Sequence, residues 1–118
     1  MCGIAGQLLK EAPVQPEALE AFTRQLAHRG PDSHGNYCDG PVGLTHTRLS
    51  IIDLTGGDQP LFGPEKGQVL VANGEIYNYV ELAHELRQDG ASFHTHSDCE
   101  TILHAYRRWG TDGLSRLN

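Results

Sequence analysis

The residue with the clearest chemical potential is Cys2, which directly follows Met1. Methionine before a small residue is normally trimmed after synthesis, and loss of Met1 would give Cys2 a free α-amine. A thiol with a pKa of about 8.5 beside an amine with a pKa of about 7.7–8 can act as nucleophile and base near neutral pH. While Met1 is present, that nitrogen is an amide and accepts no proton. Considered by itself, Cys2 is better interpreted as an ordinary buried cysteine.

A second candidate is the Asn73-Gly74 pair at the end of a predicted strand. The side-chain NH₂ of Asn73 and the backbone N–H of Gly74 could together hold the oxyanion of a tetrahedral intermediate. Glycine has no Cβ, so a substrate could approach this backbone closely. The alternative is an Asn-Gly hairpin turn, which the two residues alone favour. The pattern that follows is that of a helix start rather than a second strand.

Arg48 and Asp98 form a third pair of candidates. Arg48 interrupts an apolar strand, where a guanidinium needs a carboxylate partner such as a small amino-acid ligand. An ion pair with Asp53 or another acid is the alternative. Asp98 lies in a predicted first helical turn, where the helix dipole is a sufficient reason for a carboxylate, and it could also bind an ammonium group. A guanidinium that binds a carboxylate and a carboxylate that binds an ammonium group would together form an amino-acid pocket. The sequence does not show that the two residues are adjacent.

His94, His96 and Cys99 lie within six residues and are the best zinc candidates of the chain. No second ligand pair follows at zinc-finger spacing, and Cys99 falls in a predicted helical turn, so metal binding is disfavoured. The sequence also lacks both common Gly-rich phosphate loops, which leaves nucleotide binding by this segment unsupported.

The elements that must position these residues alternate between strands and helices. Alternation and β-branched residues predict three strands, at 3–9, 42–52 and 68–72, and a loop at 53–67. Helical periodicity begins at Pro16 and ends at the turn-rich residues 29–32. Two further helices are predicted at 78–89, with Asn78 as its cap, and at 97–109, with Ser97 and Glu100 as a capping box.

Composition excludes several classes of function. The chain has 118 residues, of which 38% are hydrophobic and 20% charged, typical of a globular domain or part of one. Its net charge of −6 argues against nucleic-acid binding, and no long apolar run predicts a membrane segment or a targeting signal. Three widely spaced cysteines do not suggest a disulfide framework, so a cytoplasmic location is expected. Because few strands and helices would leave sheet edges exposed, we expect the sequence to be a truncated domain.

Five segments, taken in order, resemble the N-terminal glutaminase domain of the glutamine-hydrolysing asparagine synthetases, which are class II amidotransferases with an N-terminal nucleophile. They are MCGIAG, HRGPDSHG at 28–35, THTRLSIIDLTGGDQPL at 45–61, NGEIYNYVEL at 73–82 and SDCETIL at 97–103. Each segment is weak evidence alone, but together they span nearly the whole chain. The resemblance implies an α+β fold of the N-terminal-nucleophile hydrolase type, with antiparallel sheets layered between helices (αββα), here incomplete.

The resemblance also implies roles for individual residues. Cys2 would be the nucleophile, Arg48 would bind the glutamine α-carboxylate, and Asn73 with Gly74 would form the oxyanion hole. Glu75 and Asp98 would bind the amino end of the substrate. The remaining pocket lining would be backbone of Leu49, Ser50, Ile51 and Ile52.

The implied partners are L-glutamine and a C-terminal synthetase domain absent from this sequence, and a homodimer is left open. No cofactor is expected in this segment, whereas ATP and magnesium are expected in the synthetase domain, where ammonia would convert aspartate to asparagine. Three alternatives stay open: a family member with another nitrogen acceptor, a non-catalytic fragment that binds a partner, and a zinc module.

Overall fold

The computed structural model describes residues 1–50 and 57–118. These residues fall into two compact units. Unit 1 contains residues 1–50, Asp58–Pro60 and Val71–Asn73. Unit 2 contains Gly57, Leu61–Leu70 and Gly74–Asn118.

Unit 1 is built on a three-stranded antiparallel sheet with the order β1-β3-β2. The predicted first strand is confirmed as β1 (Gly3–Leu8), and the second predicted strand is present as β3 (Val42–Arg48). Residues 49 and 50 lie beyond the end of β3, and the predicted end of that strand at 51–52 lies outside the described residues.

Strand β2 (Ser33–Asp39) was not predicted, because its sequence SHGNYCD is rich in residues typical of turns. It forms a strand because β3 pairs with it along its whole length, from Ser33 opposite Arg48 to Asp39 opposite Val42. The two-residue connection begins with Gly40 at φ 51°, a conformation that L-residues with a Cβ rarely adopt.

Helix α1 (Pro16–Leu26) packs against this sheet. Proline is favoured in the first helical turn because its missing N–H would have no partner there. Leu19 is buried at 1% exposure, and the buried hydroxyls of Thr45 and Thr47 donate to the Leu19 and Leu26 carbonyl oxygens at 3.4 and 3.1 Å. The strand that leads to Arg48 is therefore fixed to the helix by hydrogen bonds as well as by apolar packing.

The segment Asp58–Pro60 lies against β2 at Gly35. A Cβ on Gly35 would overlap the Gln59 carbonyl oxygen and come within 2.8 Å of Pro60 Cδ. Only glycine allows this segment to approach the strand so closely.

Unit 2 has a two-stranded antiparallel sheet and two α-helices. Strand β4 (Leu61–Phe62) pairs with β5 (Val69–Leu70), so the predicted loop at 53–67 was wrong at 61–62, and the third predicted strand is shorter than expected. Helices α2 (Tyr79–Gln88) and α3 (Glu100–Trp109) pack together, and a 3₁₀ segment, Gly110–Arg116, packs against α3. The buried apolar side chains of this unit are Leu61, Leu82, Ala83, Leu86, Cys99, Leu103 and Ala105.

Both helices of unit 2 were predicted, but the Asn78 cap does not form and the Ser97–Glu100 box forms only in part. Asn78 makes no side-chain cap; its amide instead donates to the Arg116 carbonyl at 2.8 Å and accepts from the Asn118 N–H at 2.9 Å. Helix α3 begins at Glu100 rather than at Ser97. The Ser97 hydroxyl accepts from the Cys99 N–H at 3.3 Å, as a capping serine would. The Glu100 carboxylate binds His94 and Thr95 instead, so the reciprocal half of the predicted box does not form.

Antiparallel sheets combined with helices confirm the coarser part of the predicted fold class. Within the described ranges, no helix is long and apolar enough to cross a lipid bilayer.

Candidate functional site

Cys2 lies immediately before β1, beside the end of β3. Because Gly3 is paired with Thr47, the antiparallel ladder brings Cys2 next to Leu49, 47 positions away in sequence. The half-buried Sγ accepts a hydrogen bond from the Leu49 N–H at 3.4 Å and lies 3.8 Å from the Leu49 carbonyl oxygen. The sulfur therefore contacts both backbone groups of Leu49, which fixes its position at the end of β3. With Met1 in place, the Cys2 nitrogen is part of a peptide bond.

The Cys2 backbone is held from a second side by Arg29. Its Nε donates to the Cys2 carbonyl oxygen at 3.2 Å. No role of Arg29 was predicted, because the residue lies in a turn-rich cluster with no pattern that indicates its partner.

Arg48, the last residue of β3, is 5% exposed. Its Nη1 lies 3.0 Å from Asp58 Oδ1, so the ion-pair interpretation is correct in kind, with Asp58 as the acid. Asp53, the partner named from sequence, lies outside the described residues. The hydrogen bond from the Ser33 hydroxyl, at 2.7 Å, is the main cause of the lowered pKa of Asp58; Arg48 lowers that pKa further, and partial burial opposes both.

The residues after Arg48 are held by the turn at 31–32. The Ser50 N–H donates to Asp32 Oδ2 at 2.7 Å, and the Asp32 N–H donates to the Arg48 carbonyl oxygen at 3.0 Å. Leu49 and Ser50, two of the four predicted lining residues, are therefore fixed through their backbone. The other two, Ile51 and Ile52, lie outside the described residues.

His46 is the other buried titratable group at this end of the sheet. Burial lowers its pKa, and Arg48 acts in the same direction. The Ala72 backbone and Asp58 oppose these two effects. The neutral imidazole is therefore favoured, and it adds no second positive charge beside Arg48.

Asn73 ends the part of the chain that belongs to unit 1. It is exposed, and it follows Ala72, whose backbone is bound by the Gln59 side chain. The hairpin interpretation of Asn73-Gly74 is wrong: residues 71–78 contain no second strand, and the next element is α2.

Gly74, Glu75 and Asp98 belong to unit 2. Asp98 Oδ2 accepts a hydrogen bond from the Ile76 N–H at 2.6 Å, which ties the start of α3 to the residues just after Glu75. Asp98 lies two residues before α3 rather than inside its first turn. A Cβ added at Gly74 would meet no atom within 4 Å.

Glu100 organises the loop that leads to Asp98. Its buried carboxylate accepts hydrogen bonds from the N–H groups of His94 and Thr95, both at 2.7 Å, and from the Thr95 hydroxyl at 2.6 Å. The ring of His104 lies 3.3 Å away. Burial raises the pKa of Glu100, but these hydrogen bonds outweigh it, so the net shift is downward and the charged form is favoured.

Two of the three zinc candidates, His94 and Cys99, have contacts within unit 2. The His94 N–H is bound to Glu100, and Cys99 is buried in the unit 2 core. Among the side chains that the structure describes, no three His, Cys, Asp or Glu residues are grouped in a way that could hold a metal ion.

Asp58 and Gln59 are two further polar residues whose roles were not predicted from the sequence. They lie in the predicted loop, in a stretch rich in glycine and proline. Their partners are in β2, in β3 and at Ala72, which are distant in sequence, so no local pattern could reveal them.

Comparison with known protein families matches residues 1–118 to the glutamine amidotransferase domain. The chain is 40% identical over 121 residues to asparagine synthetase [glutamine-hydrolyzing] 1 of Bacillus subtilis, covering 99% of this chain and 19% of the relative. It is 42% identical over 120 residues to asparagine synthetase [glutamine-hydrolyzing] 1 of Arabidopsis thaliana, covering 100% and 20%. A probable asparagine synthetase [glutamine-hydrolyzing] of Dictyostelium discoideum is 42% identical over 121 residues, covering 100% and 22%. The chain thus spans about a fifth of the length of these relatives.

Proposed function

This chain belongs to the glutamine amidotransferase domain family, and on that premise we propose that it hydrolyses the side-chain amide of L-glutamine and releases ammonia. The observation that carries the proposal is the Cys2 thiol at the start of β1, bonded to the Leu49 N–H and next in the fold to the buried Arg48. A nucleophile beside a carboxylate receptor suits an amino-acid substrate.

The proposed chemistry begins when removal of Met1 frees the α-amine of Cys2. This amine takes the thiol proton, and the sulfur attacks the carbonyl carbon of the glutamine side-chain amide. The side-chain NH₂ of Asn73 and the N–H of Gly74 donate to the resulting oxyanion. The C–N bond then breaks, the α-ammonium group returns a proton to the leaving nitrogen, and ammonia departs. Water hydrolyses the glutamyl thioester, releasing glutamate and restoring the thiol.

Arg48 is proposed to bind the α-carboxylate of glutamine. A guanidinium has five N–H donors, so it can serve Asp58 and a substrate carboxylate together. Glu75 and Asp98 are proposed to bind the α-ammonium group, and the lining is completed by the backbone of Leu49, Ser50, Ile51 and Ile52.

In the intact protein, the ammonia is proposed to reach a C-terminal synthetase domain that converts aspartate to asparagine with ATP and magnesium. The names of the relatives and the fifth of their length that this chain matches support this part of the proposal. No step of the glutamine chemistry above depends on ATP or magnesium. The αββα layering and a cytoplasmic location belong to the same proposal; three free cysteines support the location.

The test compares Cys2→Ala with Cys38→Ala in the intact protein. Cys38 is exposed, and its thiol donates to the Val14 carbonyl at 2.9 Å, so its replacement serves as the control. We expect Cys2→Ala to lower glutamine hydrolysis at least about a thousandfold, because the nucleophile is removed, while asparagine formation from added ammonia persists. Cys38→Ala should retain both activities. Glutamine hydrolysis that survives in Cys2→Ala would overturn the proposal.

A further inference from the structure

We propose that Gln59 is a positioning residue that orients Asn73 for oxyanion binding. The inference rests on the proposed glutaminase function and adds to it a residue with no place in the chemistry itself. Gln59, Ala72 and Asn73 all belong to unit 1, and the argument uses contacts within that unit alone.

The contact is a reciprocal pair of hydrogen bonds. The Ala72 N–H donates to Gln59 Oε1 at 2.6 Å, and Gln59 Nε2 donates to the Ala72 carbonyl oxygen at 3.2 Å. A primary amide is the side-chain group that can both accept and donate in this way through its own two ends. Gln59 thus binds the backbone of Ala72 as a neighbouring strand would.

The second of these bonds fixes the peptide that enters Asn73. The Ala72 carbonyl and the Asn73 N–H belong to one planar peptide group. A hydrogen bond to the Ala72 oxygen therefore fixes the orientation of the peptide plane that joins Ala72 to Asn73. Asn73 itself is exposed, and the residue before it, Ala72, is held through its backbone by the Gln59 side chain. The direction of the Asn73 side chain therefore depends on how firmly Ala72 is held.

Gln59 is itself firmly held, which a positioning residue requires. It is only 9% exposed, and its own carbonyl packs against Gly35. The preceding residue, Asp58, is bonded to Ser33 at 2.7 Å and to Arg48 at 3.0 Å. The sheet that carries Arg48 thereby also supports the segment that orients Asn73.

The chemistry of this contact identifies a matched variant. Gln59→Glu keeps the shape and the acceptor for the Ala72 N–H, but it replaces the donor with a carboxylate oxygen facing the Ala72 carbonyl. Gln59→Ala removes both bonds. Gln15→Ala serves as the control, because Gln15 is exposed and its amide only donates to the Pro13 carbonyl at 3.3 Å.

The experiment measures glutamine hydrolysis by the intact protein, with each rate divided by the number of sites that an electrophilic glutamine analogue labels at Cys2. We expect kcat per labelled site to fall about 10- to 100-fold in Gln59→Glu and Gln59→Ala, with KM within about threefold, because misplacing a transition-state donor lowers kcat. Gln15→Ala should match the wild type. Gln59→Ala combined with Asn73→Ala should be no slower than Asn73→Ala alone, because Gln59 acts through Asn73.

Hydrogen exchange supplies a readout that is independent of activity. The Ala72 N–H should be protected in the wild type and in Gln59→Glu, and should lose protection in Gln59→Ala. A purely structural role would lower the labelled fraction and leave kcat per site unchanged, and that result would overturn the inference. Additive losses in the double variant would also overturn it.

Failure of the inference can be told apart from failure of the proposed function. If Cys2→Ala abolishes hydrolysis while both Gln59 variants retain full kcat, only the role of Gln59 is wrong. If Cys2→Ala retains hydrolysis, the proposed function fails, and the role of Gln59 fails with it.

Discussion

In unit 1 the segment that carries Asn73 is held by the neutral amide of Gln59, whereas in unit 2 the loop that leads to Asp98 is held by the charged carboxylate of Glu100. Gln59 binds the backbone one residue before Asn73, and Glu100 binds the backbone three and four residues before Asp98. Gln59 both accepts and donates, and the sheet supports its segment through Gly35 and Asp58. Glu100 only accepts, and four donors converge on its one carboxylate.

The support of a site-bearing segment is thus spread over several contacts in unit 1, whereas in unit 2 it is concentrated on one buried carboxylate. Because the hydrogen bonds of unit 2 converge on one side chain, a single substitution should lower its stability more than in unit 1. Each buried donor that loses its acceptor keeps its full desolvation cost. Three substitutions test this difference.

The largest effect is expected for Glu100→Ala. Its side chain is 6% exposed, and its loss leaves the N–H groups of His94 and Thr95 without that acceptor. We expect the free energy of unfolding to fall by about 4 kcal/mol, measured by urea denaturation. Glu81→Ala is the matched control, because Glu81 is also a first-turn glutamate but is exposed; it should cost about 0.5 kcal/mol. Equal losses in the two variants would contradict the special role of Glu100.

An intermediate effect is expected for Gly35→Ala in unit 1. The added Cβ would overlap the Gln59 carbonyl oxygen, so the segment Asp58–Pro60 must move away from β2. We expect a loss of about 2–3 kcal/mol in thermal unfolding, as for other overpacked positions. Gly6→Ala is the control, because its Cβ would meet chiefly the flexible end of Leu44, at 3.3 Å. A larger loss for Gly6→Ala would argue against close packing at Gly35.

The smallest effect is expected for Asp58→Asn. The side chain is 70% exposed, and asparagine retains an oxygen that can accept from Ser33 and Arg48, so we expect a loss of about 1 kcal/mol or less near neutral pH. Because the folded-state pKa of Asp58 is lowered, its ionisation stabilises the fold above the ordinary carboxyl pKa of 3.8, and this stabilisation disappears as pH falls through the lowered value.

Unfolding measured from pH 7 to pH 2 checks the result for Asp58→Asn. The wild-type and variant curves should converge at the acid end. A difference that grows as pH falls would contradict the assigned sign of the pKa shift.

The local elements could largely be predicted from the sequence. The three α-helices found in residues 1–50 and 57–118, and the strands at Gly3–Leu8 and Val42–Arg48, follow from periodicity, proline placement and glycine stops, all of which act within a few residues. Strand β2 could not be predicted, because its turn-like residues form a strand only through pairing with β3. The reciprocal half of the capping box at Ser97 does not form, because the Glu100 carboxylate accepts from the N–H groups of His94 and Thr95 in the adjacent loop instead.

The family could be recognised from the amino-acid sequence alone, through short motifs in a fixed order, and so could the candidate residues from Cys2 to Asp98. The partners of those residues depend on the fold: Leu49 for the Cys2 sulfur, Asp58 for Arg48 and Ile76 for Asp98. The two kinds of information differ in the sequence separation over which they act. Helix periodicity and motif chemistry act over a few neighbouring residues, whereas hydrogen bonds and ion pairs form between any groups that the fold brings within about 3 Å.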